Sequence, residues 1–156
     1  MPSTFVHAPG FGRYREITID HTLVSNTDQT NFPVLISGVF SYLKTVANGG
    51  YVQNASGYDI GFYSDSALTT KLDWEVEKYD PTTGELVAWV KVGTLSASTD
   101  TVIYLAYDNV DITTDQSNVS GVWDSDYKLV YHLKDGTSLT LADSSNASNT
   151  PTGQNS

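Results

Sequence analysis

Three acidic residues at alternate positions of one segment are the strongest candidates for bond-breaking chemistry in this chain. If residues 71–79 form a strand, Asp73, Glu75 and Glu77 share one of its faces, with about 7 Å between alternate positions. A glycosidase needs two carboxylates at a defined separation, one as general acid and one as base or nucleophile. The same alternation is also typical of a solvated strand face on which neighbouring lysines pair with the acids. We favour the solvated face and keep the glycosidase pair as an alternative.

Two loops place acids close enough together to attract a hard cation. One holds Asp108 and Asp111, and the other holds Asp124 and Asp126. Because Ca²⁺ prefers several oxygen ligands from carboxylates and loop carbonyls, these four residues form a candidate calcium site. Neither loop matches the twelve-residue calcium loop, and Asx turns explain the same spacing. We therefore expect no cofactor, with a structural Ca²⁺ as the alternative.

The remaining reactive residue types give no catalytic pattern. His7, His21 and His132 lie in an arm, a loop and a strand end, so a zinc site from all three would require the arm to fold back. The chain has no cysteine, which excludes disulfides, thiolate metal sites and cysteine nucleophiles. It also lacks a glycine-flanked serine at a strand-to-helix turn, a His-Glu-x-x-His motif and a phosphate-binding glycine loop. These absences predict that the chain is not an enzyme.

Aromatic residues make up 12% of the chain, with 3 Trp, 10 Tyr and 5 Phe. Sugar rings stack on such side chains, so the composition fits a glycan-binding surface, although sheet cores use aromatic residues too. Trp74 lies on an apolar strand face and is expected in the core, and Trp123 is expected to pack over one end of the sandwich. Trp89 shares its face with charged residues, which favours either a ligand platform or cross-strand packing. The candidate ligand-binding residues are Trp89, Tyr63 and Tyr107.

The charge and hydropathy of the chain restrict its partners. Eight Lys and Arg against 18 Asp and Glu give a formal net charge of −10, which repels nucleic acids and anionic lipid surfaces. The apolar stretches are too short to span a bilayer, so we expect no membrane insertion. Residues 1–12 lack a basic patch followed by an apolar run and do not resemble a signal peptide.

Alternation of apolar and polar residues predicts a chain built from short strands. The clearest pattern surrounds residues 80–84, where Pro81 and Gly84 supply turn chemistry and predict a hairpin. Residues 39–47 carry apolar side chains at helical spacing before Asn-Gly-Gly, which predicts one short helix, and residues 111–120 have room for one helical turn. The predicted strands span residues 13–19, 32–37, 58–64, 71–79, 85–92, 101–107 and 127–133.

These elements predict an all-β protein, an antiparallel β-sandwich of jelly-roll-like type with one short helix. A closed barrel stays open as an alternative, because alternation does not distinguish closure from stacking. We expect an N-terminal arm over residues 1–12 and the sandwich domain over 13–133. Residues 134–156 are either a polar linker or the truncated start of a lectin-like domain.

Seven short motifs follow one another over residues 13–108. They are YREITID (14–20), TNFPVLI (30–36), ANGG (47–50), GYDI (57–60), EVEKYD (75–80), TGELVAWVKV (83–92) and TVIYL (101–105). This series resembles a family of uncharacterised β-rich domains, a domain of unknown function, in bacterial surface and secreted proteins and phage structural proteins. Members commonly continue into a concanavalin A-like (laminin-G-like) lectin domain, and the join resembles residues 121–124, 131–133 and 143–146. The resemblance implies a β-sandwich in an extracellular, cell-surface or virion location, and it transfers neither catalytic residues nor lectin activity.

Two functions are therefore expected. The first is a non-catalytic binding or display module of an outer-surface or virion-associated protein, directed toward glycans or a cell-surface polymer. The alternative is a purely structural virion decoration or tail protein, whose partners are protein neighbours in the assembly.

Overall fold

In the part of the chain that the structure describes, six strands form two separate antiparallel sheets. The computed structural model describes residues 10–133, 142–145, 147 and 149. The strand order is β1-β6-β3 in one sheet and β2-β5-β4 in the other, and the predicted all-β antiparallel sandwich is confirmed. The elements are β1 (Arg13–Ile19), β2 (Gln29–Val39), β3 (Gly61–Tyr63), β4 (Asp73–Asp80), β5 (Glu85–Leu95), β6 (Thr101–Tyr107) and a single α-helix in the described residues, α1 (Val119–Val122).

The core lies between the two central strands. On β5, every second residue from Leu86 to Val92 is buried, as expected for a strand with one face on the core. On β6, Ile103 and Leu105 are each 1% exposed. Trp74 on β4 is 2% exposed and belongs to this core, as predicted.

The predicted hairpin is confirmed as β4 and β5. The Asp80 carboxylate accepts hydrogen bonds from the backbone N–H groups of Thr82 and Thr83, which closes the turn. Gly84 then takes a φ of +75°, a conformation that glycine adopts without steric cost. A register shift between Val76 and Lys78 marks a β-bulge at Glu77, and bulges re-aim side chains locally.

The helix predicted over residues 39–47 is not present. Strand β2 continues to Val39, and two single-turn 3₁₀ segments follow, Ser41–Leu43 and Val46–Asn48. The apolar spacing reflects the burial of Leu43 in the core rather than a continuous helical face. Gly49 ends the second 3₁₀ segment in a left-handed conformation, at φ +85°. Among the residues with a described structure, the short helix is α1, which overlaps the end of the 111–120 segment.

Two of the predicted strands also differ from the structure. The strand predicted at 58–64 is reduced to β3, because the preceding loop folds around the buried Asp59 carboxylate. That carboxylate accepts hydrogen bonds from the backbone N–H groups of Gln53, Asn54 and Asn109. Residues 127–133 form no strand and run over the outer face of the β2-β5-β4 sheet.

Helix α1 begins the segment that covers this outer face. Its cap, Asn118, donates its side-chain N–H to the Asp73 carboxylate at 2.7 Å and its backbone N–H to the Trp74 carbonyl at 3.0 Å. These bonds bring residues 118–133 and 142–145 over β4 and β5. In the described part of the chain, no helix has the length and hydrophobicity needed to cross a membrane.

Candidate functional site

The Glu75 carboxylate lies at the centre of a hydrogen-bonded cluster between β4 and the covering segment. Its Oε2 accepts the Trp123 indole N–H at 2.6 Å and lies 3.0 Å from Nε2 of His132. Its Oε1 accepts the Ser144 hydroxyl at 2.7 Å. Glu75 is only 7% exposed, so both oxygens of a buried carboxylate have close polar partners.

A second carboxylate contacts the other side of the same imidazole. Nδ1 of His132 lies 3.1 Å from Oε2 of Glu77, and the same oxygen accepts the Trp89 indole N–H at 2.9 Å. The His132 ring is therefore held between two acids, with 9% of its side chain exposed. The contacts on both ring nitrogens fix the ring orientation.

The indole rings of Trp89 and Trp123 pack against each other and against the His132 ring. Trp89 packs against Trp123 with ring centroids 5.4 Å apart, and both rings lie about 6 Å from His132. Tyr127 adds an edge-on contact to Trp123 at 5.1 Å. We refer to Glu75, Glu77, Trp89, Trp123 and His132 as the Glu75 cluster.

The covering segment is stabilised from within by Asp143. Burial opposes ionisation of this carboxyl, but backbone N–H groups of Val130, Ser145 and Asn149 donate to it and hold its pKa at about 2. Asp143 therefore accepts these bonds as a carboxylate at neutral pH. These bonds connect Val130 to the residues around Asp143, and they lie next to Ser144, which contacts Glu75.

The cluster corrects one sequence-based interpretation. Glu75 and Glu77 were expected on a solvated strand face, but the covering segment buries Glu75 and half-buries Glu77. The sequence could not reveal this, because the partners of Glu75 lie 48 to 69 residues further along the chain. Trp123 does pack over the sandwich as expected, and Trp89 makes the cross-strand and indole contacts that were one of its two alternatives.

Of the four acids proposed for calcium, Asp108 and Asp124 have carboxylates that contact other protein groups. Asp108 accepts from Gln53 at 2.6 Å and lies 3.2 Å from the Arg13 guanidinium. The backbone N–H of Asp126 donates to Asp124, which is an Asx turn.

Asp111 makes the same kind of turn, since its backbone N–H donates to the Asn109 side chain. Within the described ranges, no group of three or more metal-ligating side chains includes any of the four acids. The calcium hypothesis stays a prediction.

One surface triad does bring metal-ligating atoms together within the described residues. Nδ1 of His21 lies 2.7 Å from Asp100 and 3.9 Å from Asp20. Hydrogen bonds from Thr22 lower the pKa of Asp20, and bonds from His21 lower that of Asp100. Each member already has a partner, and the triad joins the end of β1 to the start of β6.

The other two candidate ligand-binding residues have different environments. Tyr107 is 2% exposed and stacks on Tyr42 at 5.4 Å, so its ring is part of the core. Tyr63 is half-buried on β3, where it forms an isolated β-bridge with Lys71, and its ring lies edge-on to Phe11. Burial raises the pKa of its hydroxyl, which therefore stays protonated and able to donate a hydrogen bond. Ligand binding by Trp89, Tyr63 and Tyr107 stays a prediction.

The architecture and the cluster define an all-β sandwich whose second sheet is covered by its own C-terminal segment. The sequence profile of the family described as "Domain of unknown function (DUF2341)" matches residues 56–147. The match covers more than half of the chain, and the chain belongs to this family. It includes β3 to β6, the whole Glu75 cluster and Ser144. Comparison with the curated proteins and with the solved structures found no match.

Proposed function

We propose that this chain is a non-catalytic β-sandwich module that binds or displays at an outer surface and is directed toward glycans or a cell-surface polymer. The observation that carries the proposal is that both carboxylate oxygens of Glu75 are already hydrogen-bonded by other side chains. A general acid or nucleophile needs a reacting atom within hydrogen-bond reach, whereas Glu75 is buried and bonded by three side chains. The cluster acts as a clasp between sheet and covering segment.

The setting of the module follows from the resemblance described above. We place it in a bacterial surface, secreted or virion-associated protein, as a domain that precedes a lectin-like one. The formal charge of −10 supports this setting, because it favours solubility and disfavours nucleic acids and anionic membranes as partners.

A glycan array with the purified chain tests the recognition function. We expect binding to a restricted set of glycans, retained when Asp111 is replaced by asparagine as a surface control. Absence of binding above background on every glycan would refute the glycan part of the proposal.

A second candidate function is favoured by a separate observation. Large apolar side chains are exposed along the open side between β1 and β2: Leu23 at 84%, Phe32 at 45%, Leu35 at 48% and Val39 at 68%. Four of the lining side chains of a cavity of about 360 Å³ on this side are Ile19, Leu23, Phe32 and Leu35. Exposed apolar patches and free strand edges mark contact sites in assemblies.

This second function is a purely structural one, in which the chain contacts protein neighbours in a virion or surface assembly. Light scattering across a concentration series and imaging of purified particles test it. We expect self-association or particle-bound protein. A monomer that is absent from every particle would refute this function.

A further inference from the structure

A cleft runs along the side of the sandwich where β3 and β4 face each other. It consists of two adjoining cavities, of about 220 and 70 Å³, which share the side chains of Tyr58, Ile60 and Trp74. The larger cavity reaches along β4 to Tyr79, and the smaller one reaches to Tyr63 on β3. Both cavities are partly open to solvent, and the cleft is distinct from the Glu75 cluster, which it meets only at Glu77.

Aromatic rings line the cleft at two levels. Trp74 forms its floor and is 2% exposed, with Nζ of Lys71 lying 4.7 Å from the ring centroid. Tyr58 and Tyr63 form its walls and are half-buried, so part of each ring faces solvent. Rings of this kind offer flat apolar surfaces on which the C–H faces of a sugar stack.

Several polar groups around these rings have unused hydrogen-bonding capacity. Among the described residues, the hydroxyls of Ser56, Tyr58 and Tyr63 make no hydrogen bond. Oδ1 of Asp115 accepts from the backbone N–H of Ser117 at 2.8 Å, and Oδ2 has no partner within the same described ranges. A rigid apolar wall with a few convergent donors and acceptors is the usual composition of a small-ligand site.

The charges of the cleft balance, in contrast to the rest of the chain. Lys71 and Lys78 contribute two positive charges, and Glu77 and Asp115 contribute two negative ones. The whole chain carries 18 acids against eight bases, so the excess negative charge lies outside the cleft. Such a site favours binding of a neutral ligand. An anion would be repelled by the acids on the rest of the surface, and the balanced cleft offers a cation no net attraction.

We propose that this cleft binds a neutral oligosaccharide, with Tyr58 and Tyr63 stacking on sugar rings and Ser56 and Asp115 bonding to hydroxyls. The proposal rests on the proposed function of glycan recognition and gives it a site. The cavity volume is below the roughly 300 Å³ of a typical enclosed ligand site. It therefore suits one or two rings of a longer polymer that continues along the open cleft.

The test measures binding of cello-, malto-, manno- and chito-hexaose by isothermal titration. The variants are Tyr58→Ala, Tyr63→Ala and their combination, and Tyr51→Ala is the matched control because this tyrosine is 41% exposed outside the cleft. We expect the double variant to bind about tenfold more weakly or worse, which corresponds to about 1.4 kcal/mol. The control should bind as the wild type does.

The possible results separate the site from the function. If the wild type binds a hexaose and the double variant binds equally well, the cleft is not the site, while glycan recognition stands. If the wild type binds none of the four, the proposed neutral-oligosaccharide site fails, while the glycan array decides whether glycan recognition stands. Should the alanine variants not fold, Ser56→Ala and Asp115→Ala, both at exposed positions, keep the rings and remove only the assigned polar contacts. Equal affinity of both variants and the wild type would then refute the assigned hydroxyl contacts.

Discussion

Replacing Glu75 with glutamine tests the clasp while preserving the shape of the side chain. The carboxylate accepts from Trp123 and Ser144 and contacts His132. An amide is neutral and has one accepting oxygen, so all three contacts lose the carboxylate charge, and the NH₂ group takes the place of the oxygen that faces either Ser144 or the pair Trp123 and His132. A hydrogen bond to a charged group contributes about 1.5–3 kcal/mol, and a buried donor left without a partner adds a further cost. We therefore expect Glu75→Gln to lower the free energy of unfolding by about 2–4 kcal/mol.

Urea unfolding followed by tryptophan fluorescence measures this loss, because two of the three indoles lie in the cluster. For a chain of this length, each kcal/mol corresponds to a shift in Tm of about 2–4 °C, so the melting temperature should fall by about 5–15 °C. The control is Glu16→Gln, since Glu16 is exposed on β1 and its side chain makes no hydrogen bond or ion pair in the described part of the chain. Equal unfolding midpoints for the two variants would refute the clasp.

Three further outcomes follow from the turns and loops. The pKa of Asp80 is lowered to about 2, chiefly by the backbone N–H of Thr82. The contribution of this carboxylate to stability is therefore present above pH 4 and is lost as the pH falls toward 2. Asp80→Asn should flatten the pH dependence of the urea midpoint between these two pH values. Gly84→Ala should destabilise more than Gly49→Ala in thermal melts, since both have positive φ but a Cβ at 84 would clash with the backbone carbonyl oxygen of Phe40, whereas at 49 it meets nothing within 4 Å. Calcium and EDTA should give equal melting temperatures, and a rise of several degrees in calcium alone would contradict this reading of the loop acids.

Local sequence patterns predicted the parts of the fold that local forces determine. The β4–β5 hairpin was predictable, because Asp80, Pro81 and Gly84 supply the turn and both flanking runs alternate cleanly. The helix predicted over residues 39–47 is wrong because their apolar spacing arises from the packing of Leu43 into the core. That core is formed by both sheets, whose strands lie far apart in the sequence.

The Glu75 cluster could not be predicted, for a related physical reason. The alternation at residues 73–77 has the same appearance whether solvent or another segment covers that face. His132 and Trp123 were assigned to a strand end and to a packing anchor, and no local signal joined either of them to an acid on β4. The cleft had one indication in the sequence, the candidate residue Tyr63. Tyr58 joins it only because the loop around Asp59 turns back beside β4.

Release of reducing ends from a panel of polysaccharides tests the central claim most directly. The account predicts that the wild-type chain releases none above a buffer blank, including from any glycan that it binds. Release by the wild type that disappears in Glu75→Gln, with the variant still folded, would show that these carboxylates break glycosidic bonds and would contradict the account.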